Sequence, residues 1–313
     1  MKFLSDKKIA LLRDGDLVTF VDLDDHGFIL GADESIKDFI NRLTELRKNI
    51  ADFNDDLKGA GDEEPFLFYD VPLIKKDEIP KSVYKSCKKT CQDLYGFSID
   101  WVPGFYTNHN MGILFAGCAM YSYKDFFAVF IIRKSFQKSE KWGLYSRTEL
   151  MAHELTHIAH IGFKTLNYEE VFAYQTSTSL FRRVVGGMFR TPKDTYLIVG
   201  SMLVLLLCQI VNMSIRPPEA VWDQPMPLLF LLAFCSVFTV LGRYTMNLHR
   251  YKKAMDKLRS MFTNPGAVLF RCSEEEIETI ASIKHLKPFI DAQTDTRWKI
   301  IKNKFQNPKN PAR

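Results

Sequence analysis

Three of the chain's seven histidines fall in one window, TELMAHELTHIAHIGF, residues 148 to 163. His153 and His157 stand four apart, with Glu154 beside the first. On a helix, residues four apart share a face one turn apart, so both imidazoles reach one cation. Glu154 is then placed to take the proton of a zinc-bound water as it attacks a carbonyl. That is the chemistry of a zinc peptidase. His160 follows His153 by seven residues, about 10.5 Å along a helix axis, too far to share the ion. It is expected behind the ligands or at the surface.

A catalytic zinc commonly takes two histidines and one glutamate. The stretch NYEEVFAYQTSTSLF begins ten residues after His157, beyond a GFKTLN turn that lets a second helix run back past the first. Glu169 and Glu170 both qualify as the third ligand. Glu170 shares a helix face with Ala173, Tyr174 and Ser177, and the small Ala173 allows close approach to the metal. Glu169 shares a face with Phe172 and Thr176. The spacing favours Glu170 and leaves Glu169 open, and both also suit the first turn of a solvated helix.

A strand, then SRTELMAHELTHIAH, then a helix carrying Glu-x-x-Ala resembles the gluzincin metallopeptidases. The order is also similar to the HtpX-like and CAAX-prenyl-endopeptidase family, membrane enzymes with a cytosol-facing zinc site. The resemblance spans about residues 95 to 180. It implies Zn2+ as cofactor, His153, His157 and Glu170 as ligands, and Glu154 as general base. It also implies that FFAVFIIRKSF, residues 126 to 136, is the edge strand that aligns an extended substrate. The chain departs from that family at Thr156, where glycine is usual, at Tyr174, where aspartate is usual, and in a shorter gap between the motifs. An oxyanion donor is needed too. Tyr174, His109, His249 and Arg297 are the candidates, and the sequence does not choose among them.

These residues need a frame. LVTFVDLDDHGFILG, residues 17 to 31, reads as two short strands around a turn. The next stretch is helical, with Phe39, Leu43, Leu46, Ile50, Phe53 and Leu57 in alternating steps of four and three, a narrow apolar stripe expected to pack on its own domain. KGAGDEEP reads as a linker. Residues 80 to 95 read as helix, and FSIDWV, GILFAGCAMYSY and FFAVFIIRKSF as strands. Ser146 and Glu149 have capping-box spacing before the histidine helix, as do Ser273 and Glu276 before a later one. DTRWKIIKNKF reads as a short amphipathic helix and QNPKNPAR as a frayed end.

Two runs lack charge altogether, Tyr196 to Ile215 and Gln224 to Gly242. Each reaches roughly 28–30 Å as a helix, the thickness of a bilayer core. Arg182, Arg183, Arg190 and Lys193 precede them; Arg243, Arg250, Lys252, Lys253, Lys257 and Arg259 follow. The loop between carries Arg216 against Glu219 and Asp223. That asymmetry places both large parts on the cytoplasmic side. Trp222 and Tyr244 fall where interface aromatics are expected.

The whole chain is 46% hydrophobic and 25% charged, an ordinary globular average that conceals these two runs. The net charge of +5 comes without an Arg-rich recognition motif, so no nucleic-acid partner is expected; a mildly basic balance suits anionic lipid heads. The N-terminal MKFLSDKKIALLRDGD is too polar for a signal peptide, and the N-terminal part is expected in the cytosol. Cys87 and Cys91 lack a second pair and read as ordinary helix cysteines.

The expected fold class is α+β. A zincin-like catalytic domain (63–193) follows an N-terminal strand hairpin and long helix (1–62). A two-helix transmembrane hairpin (194–247) and a cytoplasmic helical region (248–313) complete the chain. The expected function is a membrane-anchored zinc endopeptidase acting on peptides or membrane proteins at the cytosolic bilayer face. A non-catalytic membrane adaptor, binding partners through the amphipathic helix, is the alternative.

Overall fold

The computed structural model describes residues 2–109, 112, 116–122, 127–163, 167–188, 191–215 and 226–307. They form a mostly helical α+β fold with small sheets. The chain opens with α1 (Asp6–Arg13), α2 (Leu17–Asp25) and α3 (Ile36–Gly59). The expected strands at 17 to 31 are absent: α2 occupies that segment, followed by irregular backbone. The β-branched residues mislead there. Asp16 caps the helix by accepting from the Thr19 N–H (3.0 Å), and Phe20 and Leu23 bury one face. In α3 all six stripe residues are buried, within this chain's own core.

A small hairpin, β1 (Phe66–Phe68) with β2 (Val71–Leu73), precedes α4 (Tyr84–Tyr95). That helix starts four residues later than expected and stops at Gly96, whose φ of +69° is the left-handed conformation that ends helices. Its Cys87 and Cys91 are buried against the core. FSIDWV is not a strand. It crosses the core as irregular chain, tied by Ser98 N–H to Asp25 O (2.8 Å) and Trp101 Nε1–H to His26 O (3.1 Å).

The main sheet contains β3 (Gly104–Thr107), β4 (Gly117–Ser122) and β5 (Phe127–Arg133), in the order β3-β5-β4. β5 runs parallel to β3 and antiparallel to β4. Its residues alternate between two cores. Phe127, Val129 and Ile131 join the cluster under α3, while Ala128, Phe130 and Ile132 join the larger cluster on the opposite face. A strand buried on both faces reads as a continuous apolar run and belongs in the centre of a sheet. The expectation that this strand is the edge is therefore corrected: β5 is central, and β3 and β4 are the edges.

The hairpin β6 (Lys141–Trp142) and β7 (Tyr145–Ser146) leads into α5 (Arg147–Ala159), which carries HELTH. α6 (Glu169–Gln175) and α7 (Leu180–Val185) follow. Then come α8 (Pro192–Ile215) and α9 (Met226–Leu258), both long and apolar enough to cross a membrane. Only 11% and 22% of their most apolar windows are buried, unlike the core helix of a soluble domain. Ser201 and Ser236 share a hydrogen bond between them (2.8 Å), and Arg243 pairs with Asp194 (2.7 Å) at the end carrying the rest of the chain. Arg190, Arg216, Glu219, Trp222 and Asp223 lie outside the described residues. Tyr244 is buried against Gly187, so it is not the lipid-facing aromatic expected.

α9 does not stop at the end of its apolar run. Val240, Tyr244, Asn247, Tyr251, Ala254 and Leu258 are all buried, a seam in steps of four and three. From Tyr244 on, its apolar members join the same core as α5 and α6. The tail folds back as α10 (Pro265–Leu269), α11 (Glu274–Ser282), α12 (Leu286–Ala292) and α13 (Thr296–Phe305). The Ser273–Glu276 capping box is present. Residues 308–313 of the expected frayed end lie outside the described residues. Arg271, on the tail, donates to Asp24 of α2 (2.6 Å), and Lys304 binds the same carboxylate; Asp24 and Arg271 are fully enclosed.

Candidate metal centre

Ser146 caps α5 by accepting from the Glu149 N–H, as the sequence predicts. Glu149 does not return the bond. Its buried carboxylate accepts from Ser177 Oγ (2.9 Å), Thr178 N (2.8 Å), the Thr178 hydroxyl and Arg182 Nη1 (3.0 Å). It thereby ties the start of the histidine helix to the corner after α6. Sequence reasoning missed this role; the hydroxyl-rich TSTS after α6 was the available signal.

With that corner fixed, α6 runs beside α5 and its glutamates meet the histidines. His153 Nε2 and His157 Nε2 lie 3.2 Å apart. The Glu170 carboxylate is 3.7 Å from the first and 3.6 Å from the second. Among the described residues, these three form the group able to hold a metal ion. Tetrahedral zinc, with bonds of about 2.0–2.1 Å, holds its donor atoms about 3.3 Å apart. The two Nε2 atoms stand at about that separation, and each has one Glu170 oxygen a few tenths of an ångström beyond it, Oε2 for His153 and Oε1 for His157. Two neutral imidazoles and a carboxylate are also the donor chemistry of an open zinc site. The residues fit the ion.

Glu169 has a different task. Its carboxylate bonds His157 Nδ1 at 2.9 Å, leaving Nε2 turned toward Glu170 and His153. Such outer bonds set the tautomer and the ring orientation of metal-facing histidines. The open choice between the two glutamates thus resolves in geometry: Glu170 faces both Nε2 atoms, and Glu169 buttresses one of them from outside.

The electrostatics match. Burial pushes His153 down to about 3, with the neighbouring His157 charge adding to the effect. Burial also opposes charge on His157, yet the bond to Glu169 and the charges of Glu170 and Glu154 outweigh it and raise it to about 9. Burial lifts Glu170 to about 7 and raises Glu154. For Glu169, burial works upward, but the His157 bond prevails and holds it below the usual carboxylate range. The nearby carboxylates thus favour positive charge at His157, the opposite of what burial does at His153.

Glu154 turns to the other side, where the Ala119 N–H of β4 donates to its Oε2 (2.9 Å). The register of β4 explains this contact. Arg133 N–H bonds Ala116 O, so Ala116, Cys118 and Met120 face β5. In an antiparallel ladder the alternate residues, Gly117, Ala119 and Tyr121, then point their N–H and C=O groups to the open edge. Among the described residues no strand pairs with this edge, which runs past the motif glutamate.

The remaining candidates separate clearly. Tyr174 packs its ring against His153, with centroids 4.7 Å apart, and stays at the site. His160 is 2% exposed, stacked on Phe163 and packed by Phe172 and Phe270, so it is a core residue and not a surface one. α5 ends before it, and its ring turns beneath the helix into that aromatic cluster. Arg297 is committed to Glu276 at 2.7 Å and is no oxyanion donor. His109 and His249 are exposed. No family model, no curated protein and no solved structure matches this chain.

Proposed function

We propose that the protein is a membrane-anchored zinc endopeptidase with a zincin-like catalytic unit. The observation that carries this reading is the convergence of His153, His157 and Glu170 into one group able to hold a metal ion, with Glu154 beside them against strand β4. A zinc ion bound there supplies Lewis acidity to a peptide carbonyl and to water. The chain's own groups do the rest. The open edge at Gly117, Ala119 and Tyr121 pairs with an extended peptide and lays it across the site. Glu154, its proton affinity raised by burial, accepts a proton from the attacking water and returns it to the leaving amine. Tyr174, whose ring packs on His153, is the candidate hydroxyl to support a developing oxyanion.

In this reading α8 and α9 are the bilayer anchor, a role their length and apolar character support, and the basic residues flanking them favour a cytoplasmic catalytic unit and termini. Peptides and membrane-protein segments near the cytosolic face are then the substrates. The adaptor alternative loses its main support, because the α3 stripe is buried in this chain's own core.

Metal analysis and peptide cleavage by the purified full chain test the proposal. Wild type is expected to carry one zinc and to cleave. Glu154→Gln is expected to keep the zinc and lose cleavage. A wild-type protein that holds no stoichiometric zinc overturns the proposal, as does a Glu154→Gln variant that cleaves normally.

A further inference from the structure

Outside α8 and α9, the well-exposed large apolar side chains among the described residues are Val18, Leu67, Tyr69, Leu144, Leu180, Phe181 and Val184. Three of these seven belong to α7, a six-residue helix that buries no side chain. Leu180 and Phe181 are 70% and 72% exposed. With Val184 they stand at i, i+1 and i+4, on one face. In water such a face has no reason to exist beside two arginines on so short a helix.

The place of α7 explains it. The Asp194–Arg243 pair marks the level at which the uncharged runs of α8 and α9 begin and end. The 3-10 turn Gly186–Met188, which continues α7 directly, reaches that level, because Gly187 packs against Tyr244, one residue past Arg243. α7 therefore lies within its own length, about 9 Å, of the boundary. The exposed apolar residues of α7 thus lie near the level where the exposed apolar surface of the hairpin begins.

The opposite side of α7 meets the metal centre. Arg182 reaches back to Glu149, and its guanidinium lies over the Tyr145 ring. A Cβ added at Gly186 would fall 2.3 Å from the Tyr174 ring, which itself packs on His153. We propose that α7 rests its Leu180–Phe181–Val184 face in the headgroup–acyl boundary of the bilayer crossed by α8 and α9. The lipid surface is the partner, and the metal centre sits directly behind the contact. This rests on the membrane reading of the two apolar helices; it does not require catalysis.

The test uses the full chain in nanodiscs of mixed neutral and anionic lipid. Phe181→Trp places a fluorescent probe on α7. It is compared with Val18→Trp, which puts the probe on exposed α2, and the wild-type fluorescence is subtracted from both. Chain-brominated lipid is expected to quench the α7 probe severalfold more than the α2 probe. Iodide is expected to do the reverse, and emission from the α7 probe is expected to be blue-shifted. Equal iodide access at both positions, with no bromolipid quenching of the α7 probe, overturns the proposal. Protection of the α7 probe from both quenchers also overturns it, because it assigns the face to a protein partner. Resistance of the wild-type protein to alkaline extraction from membranes checks the hairpin separately. Extraction refutes membrane anchoring itself, whereas retention with a water-exposed α7 probe refutes only the role of α7.

Discussion

Removing Glu169 separates a buttress from a ligand. Its carboxylate touches His157 Nδ1 at 2.9 Å and points away from the space shared by the two Nε2 atoms. In Glu169→Ala the His157 ring keeps its donor atom but loses the bond that fixes its tautomer and rotation. Loss of such an outer bond lowers metal affinity roughly 10–100-fold, about 1.4–2.8 kcal/mol. Competition against a chromogenic zinc chelator at fixed pH reads this directly. Glu169→Gln, which keeps an acceptor oxygen without the charge, is expected between wild type and Glu169→Ala. Glu170→Ala removes a donor that lies 3.6 and 3.7 Å from the imidazoles and is expected to fall further than any of them. Gln175→Ala, at the far end of α6, is expected to bind like wild type. If Glu169→Ala binds zinc as tightly as wild type, or binds more weakly than Glu170→Ala, the assignment of roles is refuted.

Two further outcomes follow from the fold. Ala119→Pro removes the N–H that holds Glu154, at a position whose N–H faces away from β5, where proline is tolerated. Thermal stability and zinc content are expected to hold while peptide cleavage drops; unchanged cleavage would remove β4 from the site. Asp24→Asn strands the buried Arg271 and Lys304 charges and is expected to cost about 3–5 kcal/mol at neutral pH, measured by unfolding in micelles. Burial pushes the Asp24 carboxyl upward, but Arg271 and Lys304 outweigh it and hold it below the usual range. A depressed folded value means the wild-type advantage is full above about pH 4, the unfolded value, and is lost as pH falls through the folded one. The two unfolding profiles are therefore expected to converge in acid, and a gap independent of pH contradicts the role of that charge.

The features legible in the sequence are those with a strong local period. The α3 stripe, the HELTH helix with its Ser146 cap, the two uncharged runs and the Ser273 box all need only residues within a few turns. The failures share a cause as well. Residues 17 to 25 carry strand-like side chains yet close local helical bonds behind the Asp16 cap, while FSIDWV is tied only by distant partners outside any ladder. Which strand forms the edge depends on what covers each face. The apolar run of β5 signalled burial on both sides, and that meant the centre. The separation of Glu169 from Glu170 turns on about 100° of helix rotation, which spacing alone could favour but not decide. Glu149 was invisible because its partners come 28 to 33 residues later.

The unbroken course of α9 has a metrical consequence. From Gly242, where the uncharged run ends, to Ala254, inside the core that backs the histidine helix, there are twelve residues of continuous helix, about 18 Å. No break interrupts this helix, so under the proposed membrane reading the candidate centre stands at a fixed elevation over the bilayer. That elevation also has a phase. One residue inserted in this stretch turns everything beyond it by about 100° and brings the Tyr251–Ala254–Leu258 seam out of register with its core. Seven residues restore the register, to within about 20°, while adding about 10.5 Å. Under that reading, the heights open to the candidate centre are quantised in heptads.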